Sequence, residues 1–194
     1  FLKDFLKQKF PMLAFIFTVY AFQWITIMAW FPGFLMEKFE LSLHDAAFFT
    51  ALIVLVNIPG NLFGGRLNNN QIHPSIILRI ATLIMFISIV GIFGVNFGPV
   101  ISVMCAIVFS FFAGMVPATL FATVPLFSSS IAQLGGANGM LFQGSALGQL
   151  IGSPIVAAFV TYGNGEWEYA LVPLLLLSII QLLLSSSLRS VLSE

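Results

Sequence analysis

Apolar residues run in six long stretches, near 11–36, 45–64, 75–95, 99–126, 135–160 and 168–188, parted by short clusters of charged and turn-forming residues. Each stretch is long enough to cross the hydrocarbon core of a bilayer, which takes about 20 residues of helix. The runs far exceed a barrel strand of about 9–11 residues, and in lipid every backbone amide needs a partner within its own segment. The pattern therefore predicts an all-α membrane protein with six transmembrane helices over 11–188, preceded by a segment at 1–10 and followed by a tail at 189–194. The separators are Glu37–Glu40, Gly64–Asn70, Asn96–Pro99, Ser128–Ser130 and Tyr162–Glu168, and none leaves room for a soluble domain.

Composition agrees. Of 194 residues 59% are hydrophobic and 7% charged, with mean hydropathy +1.06, whereas soluble domains are about a quarter charged. Seven Lys and Arg balance seven Asp and Glu without forming a basic cluster, so a nucleic-acid partner is not expected and the lipid bilayer is. Position matters more than the sum. With a cytoplasmic N-terminus, Lys3, Lys7, Lys9, Arg66, Arg79 and Arg189 lie inside and Lys38 alone lies outside, which predicts that both termini are cytoplasmic. In the segment 1–10, Phe1, Leu2, Phe5 and Leu6 share one helical face, as in a short interfacial helix or a juxtamembrane tail whose lysines meet anionic lipid. The first apolar stretch is too long for a signal-peptide core of about 7–15 residues, and the chain opens on Phe1, which reads as a cut from something longer. The lone Cys105 lies in an apolar run, where a small buried hydrophobe is the expected role.

No charged side chain falls near the middle of a stretch, so carboxylate-based proton chemistry is not expected in this chain. What lies at mid-depth is amide, hydroxyl and aromatic: Tyr20, Gln23, Trp24 and Thr26 in the first stretch, Asn57 in the second, Ser110 and Thr119 in the fourth, Gln143 and Ser145 in the fifth. Taken singly, each amide is most simply an interhelical hydrogen bond. Such bonds average only about 0.6 kcal/mol in membranes, so packing is a weak reason for three central amides. A solute-accepting cavity lined by the first, second, fourth and fifth stretches is the sharper one, with Tyr20, Gln23, Trp24, Asn57 and Gln143 as candidate substrate-binding residues. The third and sixth stretches, nearly pure Leu, Ile, Val and Phe, are expected to face lipid. Gly144, Gly148 and Gly152 recur every four residues and form one smooth stripe for close helix packing. Gly114 and Pro117 in the fourth stretch, with Pro32, Pro59 and Pro154 near the ends of others, permit bends.

At these residues the sequence resembles the C-terminal six-helix half of a major facilitator superfamily transporter, over essentially the whole chain. Phe112-Ala113-Gly114-Met115-Val116-Pro117-Ala118 resembles the glycine-and-proline core of the family's tenth helix, and Gly135 to Pro154 resembles its eleventh. The stretch Pro59 to Leu67 sits where the family repeats a cytoplasmic signature of glycine, aspartate and arginine; Gly60, Gly64, Gly65 and Arg66 are present and the aspartate is not, so the charge latch it forms in the family is not expected in this half. The lysine-bearing start is similar to the end of the family's central loop. Within the superfamily, Trp24, Trp30, Pro32 and Pro59-Gly60 are similar to features of the cyanate and nitroimidazole permease-like group. The resemblance implies a half-bundle of two inverted three-helix repeats, an N-terminal six-helix half of the same protein as partner, a small-molecule solute bound between halves, and alternating access in a bacterial inner membrane. It assigns conformational roles to Gly60, Arg66, Gly114 and Pro117, and it implies no cofactor, metal or catalytic residue.

Other classes fit less well. His44 lies at the outer end of the second stretch and His73 in the inner loop, on opposite faces of the membrane, so they cannot share a catalytic site, and Gln143-Gly144-Ser145-Ala146-Leu147-Gly148 lacks the Gly-x-Ser-x-Gly elbow. A water channel would need paired Asn-Pro-Ala turns, and the nearest string is Val116-Pro117-Ala118. A non-transporting scaffold or receptor is the rival that only measured flux separates from a carrier.

Overall fold

The computed structural model describes residues 9–94 and 97–192, with side chains described through Leu188. Its helices are α1 (Phe10–Phe39), α2 (Leu43–Asn69), α3 (Pro74–Ile89, continued by a π-helical turn at Val90–Gly94), α4 (Pro99–Phe127), α5 (Ile131–Tyr162) and α6 (Leu171–Leu192, entered through a 3-10 turn at Trp167–Ala170). Among the described residues there is no strand. Six helices among these residues are long and apolar enough to cross a membrane, the build of an integral membrane protein. The predicted interfacial segment falls outside the described residues apart from Lys9 and Phe10, and the predicted tail is helical through Leu192.

Local chemistry sets the helix ends. Ser42 accepts from the backbone N–H of Asp45 (3.1 Å) and Ser130 from that of Gln133 (3.2 Å), while Gln133 Oε1 reaches back to accept from the Ser129 N–H (2.9 Å), a reciprocal cap that starts α5 at Ile131 rather than at the predicted 135. Pro74 and Pro99 occupy first-turn positions, where the missing N–H costs nothing. The glycine- and asparagine-rich run Gly64–Asn70 is not the connector its composition predicts. α2 continues to Asn69 because Asn68 Nδ2 donates to Gly64 O (2.7 Å) and across to Thr119 Oγ1 of α4 (3.1 Å), a tertiary bond that outweighs local turn propensity.

α1 is the hub: 72% of its apolar window is buried, against 17% for α2 and 22% for α5. The two broadest interfaces are α1 against α5 and α2 against α4, and α3 packs on α4 and α6. Both broad interfaces are built on glycine. On α5, a Cβ at Gly144 would stand 2.6 Å from Ala14 O, one at Gly148 would run into the Thr18 carbonyl and stand 2.9 Å from Phe22 N, and one at Gly152 would stand 2.7 Å from Thr26 Oγ1. On α2, Gly60 lies against the Phe111 carbonyl and a Cβ at Gly64 would stand 2.8 Å from Met115 Cα. In return Gly114 of α4 lies against Asn57 O and would place a Cβ 2.8 Å from Asn61 N. Backbone meets backbone at these points, and the dispersion contacts so gained hold helices together where no hydrophobic effect acts between them.

At the end where α1, α3 and α5 finish, the rings of Phe34, Phe93 and Trp167 meet with centroids 5.0–6.3 Å apart, joined by Trp30 and Phe39. Trp167 Nε1 donates to Glu37 Oε2 (3.0 Å), and Lys38 pairs with Glu168 (2.8 Å). The rings set the spacing of α1, α3 and α6 at this end; the ion pair, with both side chains partly exposed, adds at most about 1 kcal/mol.

Candidate functional site

Helix geometry brings some of the sequence-predicted residues together and separates others. Tyr20 on α1 is buried, stacks on Phe17 (centroids 5.6 Å apart), and engages the side chain of Asn57 on α2. Asn57 Nδ2 in turn donates to Ser110 O on α4 (3.0 Å). Phe17 meets Phe121 of α4 edge-on at 5.6 Å, and Phe121 meets Phe142 of α5 at 5.3 Å. A continuous path, Asn57–Tyr20–Phe17–Phe121–Phe142, therefore links α2, α1, α4 and α5, the four helices that polarity singles out. Trp24 Nε1 and Ser110 Oγ are buried without a hydrogen-bond partner, as is Thr26 Oγ1, which lies in the α1/α5 contact against Gly152. Buried donors and acceptors are normally satisfied, so these groups stand out as unpaired.

Gln23 stands elsewhere. Its side chain is wholly buried, and its amide is committed to α6: Nε2 donates to Gln181 Oε1 (3.1 Å) and Oε1 accepts from Ser178 Oγ (3.2 Å). α6 is thus not a purely lipid-facing helix. Ser178, Gln181 and Ser185 lie on one buried face at i, i+3 and i+7, while Val172, Leu176, Ile179 and Leu183 form the exposed apolar stripe. α3 is divided the same way, with Ser75, Thr82 and Ser88 inside and Ile76, Ile80, Leu83 and Ile87 outside. The serine and glutamine spacing in the sixth stretch was the available signal for this face; surrounding leucines masked it.

Coupling across the Gln23–Gln181 pair is testable by a double-mutant cycle. Gln23→Leu and Gln181→Leu are expected to show a coupling of about 0.6 kcal/mol, and no more than about 1.7 kcal/mol, in denaturant unfolding of the protein in micelles. Zero coupling would mean that the amide bond contributes nothing to holding α6 on α1.

Gln143 also stands apart. At about 100° per residue it lies about 140° around α5 from a polar stripe formed by Asn138, Ser145 and Gln149, of which mid-span polarity alone picks out only Ser145. Gln149 Nε2 donates to Ser145 Oγ (3.1 Å), and Phe142, beside that stripe, meets Phe121 of α4. Gln143 is exposed on the side of α5 that carries Leu147 and Leu150. Among the conformational candidates, Gly60 and Gly114 form the α2/α4 contact, Pro117 lies half-buried inside α4, and Arg66 lies exposed in the last turn of α2 beside a groove of about 520 Å³ with Pro59, Leu62, Phe63 and Phe111. No family model matches the sequence, and no curated protein does either.

Proposed function

We propose that this chain is one six-helix half of a secondary transporter of the major facilitator type, which moves a small solute by alternating access against an N-terminal half of the same protein. The observation that carries the reading is the exposure of amides within the membrane-spanning length of the two least covered helices: Asn61 on α2, Gln143 and Gln149 on α5. Lipid tails offer these groups no hydrogen bonds, so the faces that bear them are fitted to a water-filled cavity or a second protein half. The packing order supports the same reading. Exchanging the first three helices for the last three turns the α1/α5 interface into α4/α2 and leaves α3/α6 unchanged, the relation expected of two inverted three-helix repeats. Both exchanged interfaces rest on glycine, on α5 in one and on α2 and α4 in the other.

In this reading Tyr20, Trp24 and Asn57 contact the solute through ring faces and hydrogen bonds, with Ser145 and Gln149 approaching from α5. Gln23 is a positioning residue that holds α1 on α6, and Gln143 faces the other half. No charged side chain lies at that depth, so charge coupling falls to the other half.

Proteoliposomes containing the full-length protein are expected to take up a small polar solute saturably, at rates above protein-free vesicles, and the same solute is expected to raise the protein's thermal midpoint. A solute that stabilises the protein while no flux is measured would favour a receptor and overturn the transporter reading.

A further inference from the structure

Between α3 and α6 the outer surface holds a groove of about 460 Å³ whose walls are Ile80, Leu83, Leu182 and Leu183 and whose polar edge is Arg79 with Ser186. Arg79 is exposed and lies on the apolar outer stripe of α3, between Ile76 and Ile80, about 8 Å along the axis from the start of the helix at Pro74. No carboxylate pairs with it among the described residues; Glu37, Glu40, Asp45, Glu166 and Glu168 are all at the opposite end of the bundle. A guanidinium on a lipid-facing stripe needs hydrogen-bond acceptors at the membrane surface, and an anionic headgroup supplies the strongest of them. The Arg79 side chain is long enough to reach the headgroup level, and its planar fork matches two phosphate oxygens.

We infer that this groove binds an anionic phospholipid, the phosphate on Arg79 and one acyl chain between α3 and α6. The assignment is independent of the transport reading. Charge complementarity selects the headgroup: Arg79 supplies the positive charge, and the Ser186 hydroxyl, which already donates to Leu182 O (2.8 Å), keeps lone pairs to accept from a headgroup hydroxyl. The wholly aliphatic walls select a chain over a soluble anion. Seating a lipid here would bridge α3 and α6, whose mutual packing is narrower than that of α1 on α5.

Native mass spectrometry of the full-length protein, titrated with phosphatidylglycerol and with phosphatidylcholine of identical chains, tests it. The wild type is expected to retain phosphatidylglycerol about fivefold better, the ratio equivalent to the roughly 1 kcal/mol that one basic residue contributes near anionic lipid. Arg79→Gln is expected to remove the preference and Arg79→Lys to keep part of it, while Leu183→Trp, which fills the groove, is expected to weaken retention of both lipids. An unchanged preference in Arg79→Gln would overturn the proposal, as would displacement of the lipid by millimolar inorganic phosphate, which would identify a site for the free anion instead.

Discussion

Gly148→Val is expected to lower the thermal midpoint of the purified protein by roughly 5–10 °C, from an overpacking cost of about 1–3 kcal/mol spread over a chain of this length. The expectation rests on what surrounds the glycine. The new Cβ would run into the Thr18 carbonyl and stand 2.9 Å from the Phe22 amide nitrogen, and both are backbone atoms that no rotamer change can move aside. Relief requires α5 to withdraw from α1, and withdrawal at Gly148 also opens the neighbouring contacts at Gly144 and Gly152. The damage should therefore propagate along the interface on which the most buried helix depends. Gly139 is the matched control. It lies on the same helix, and a Cβ added there would meet nothing within 4 Å, so Gly139→Val should shift the midpoint by no more than about 2 °C. Equal midpoints for the two variants, followed by differential scanning fluorimetry in the same detergent, would show that α1 and α5 do not depend on this contact.

The stripe at Gly144, Gly148 and Gly152 was legible because its four-residue period is itself the geometric fact; any helix through these residues lines them up. Its partner was not legible. That α1 rather than α4 or α6 lies on the stripe is a property of the whole bundle, and nothing in the local pattern distinguishes among apolar helices. The six spans were readable from length and hydropathy alone, whereas their ends were set by side chains acting at a distance, as Asn68 does when it bonds to Thr119 and carries α2 past a run that composition assigns to a turn. Mid-depth polarity shows the same division. Tyr20 and Asn57 were identified by residue type and depth, and the fold brings them together across α1 and α2. Gln23 has the same depth and chemistry, yet it bonds to Ser178 and Gln181, which the leucine-rich sixth stretch hid because hydrophobic averaging erases three polar residues spaced on one face.

That separation of Gln23 from Asn57 has a measurable consequence for transport. In the proposed carrier, Asn57→Ala is expected to lower the ratio of maximal uptake rate to half-saturating concentration by roughly 10-fold to 100-fold, because a solute group left without its partner once the two halves close over it and expel water costs about 1–3 kcal/mol. Tyr20→Phe isolates the hydroxyl. The ring keeps its stack on Phe17, so folding should be preserved, and a loss of about 10-fold would be assigned to a hydrogen bond of about 1.4 kcal/mol to the solute or to Asn57. Gln23→Leu should behave differently: it removes the bonds to Ser178 and Gln181 that hold α6, so the thermal midpoint should fall while the half-saturating concentration stays within about twofold. Gln143→Ala, on the far side of α5 from the Asn138–Gln149 stripe, should leave the half-saturating concentration unchanged and act, if at all, through contact with the other half. Proteoliposome uptake by the four full-length variants, each paired with its melting curve, separates these roles. Were Gln23→Leu to raise the half-saturating concentration as strongly as Asn57→Ala while melting like the wild type, the solute would have to lie against α6, and the site built on Tyr20 and Asn57 would be misplaced.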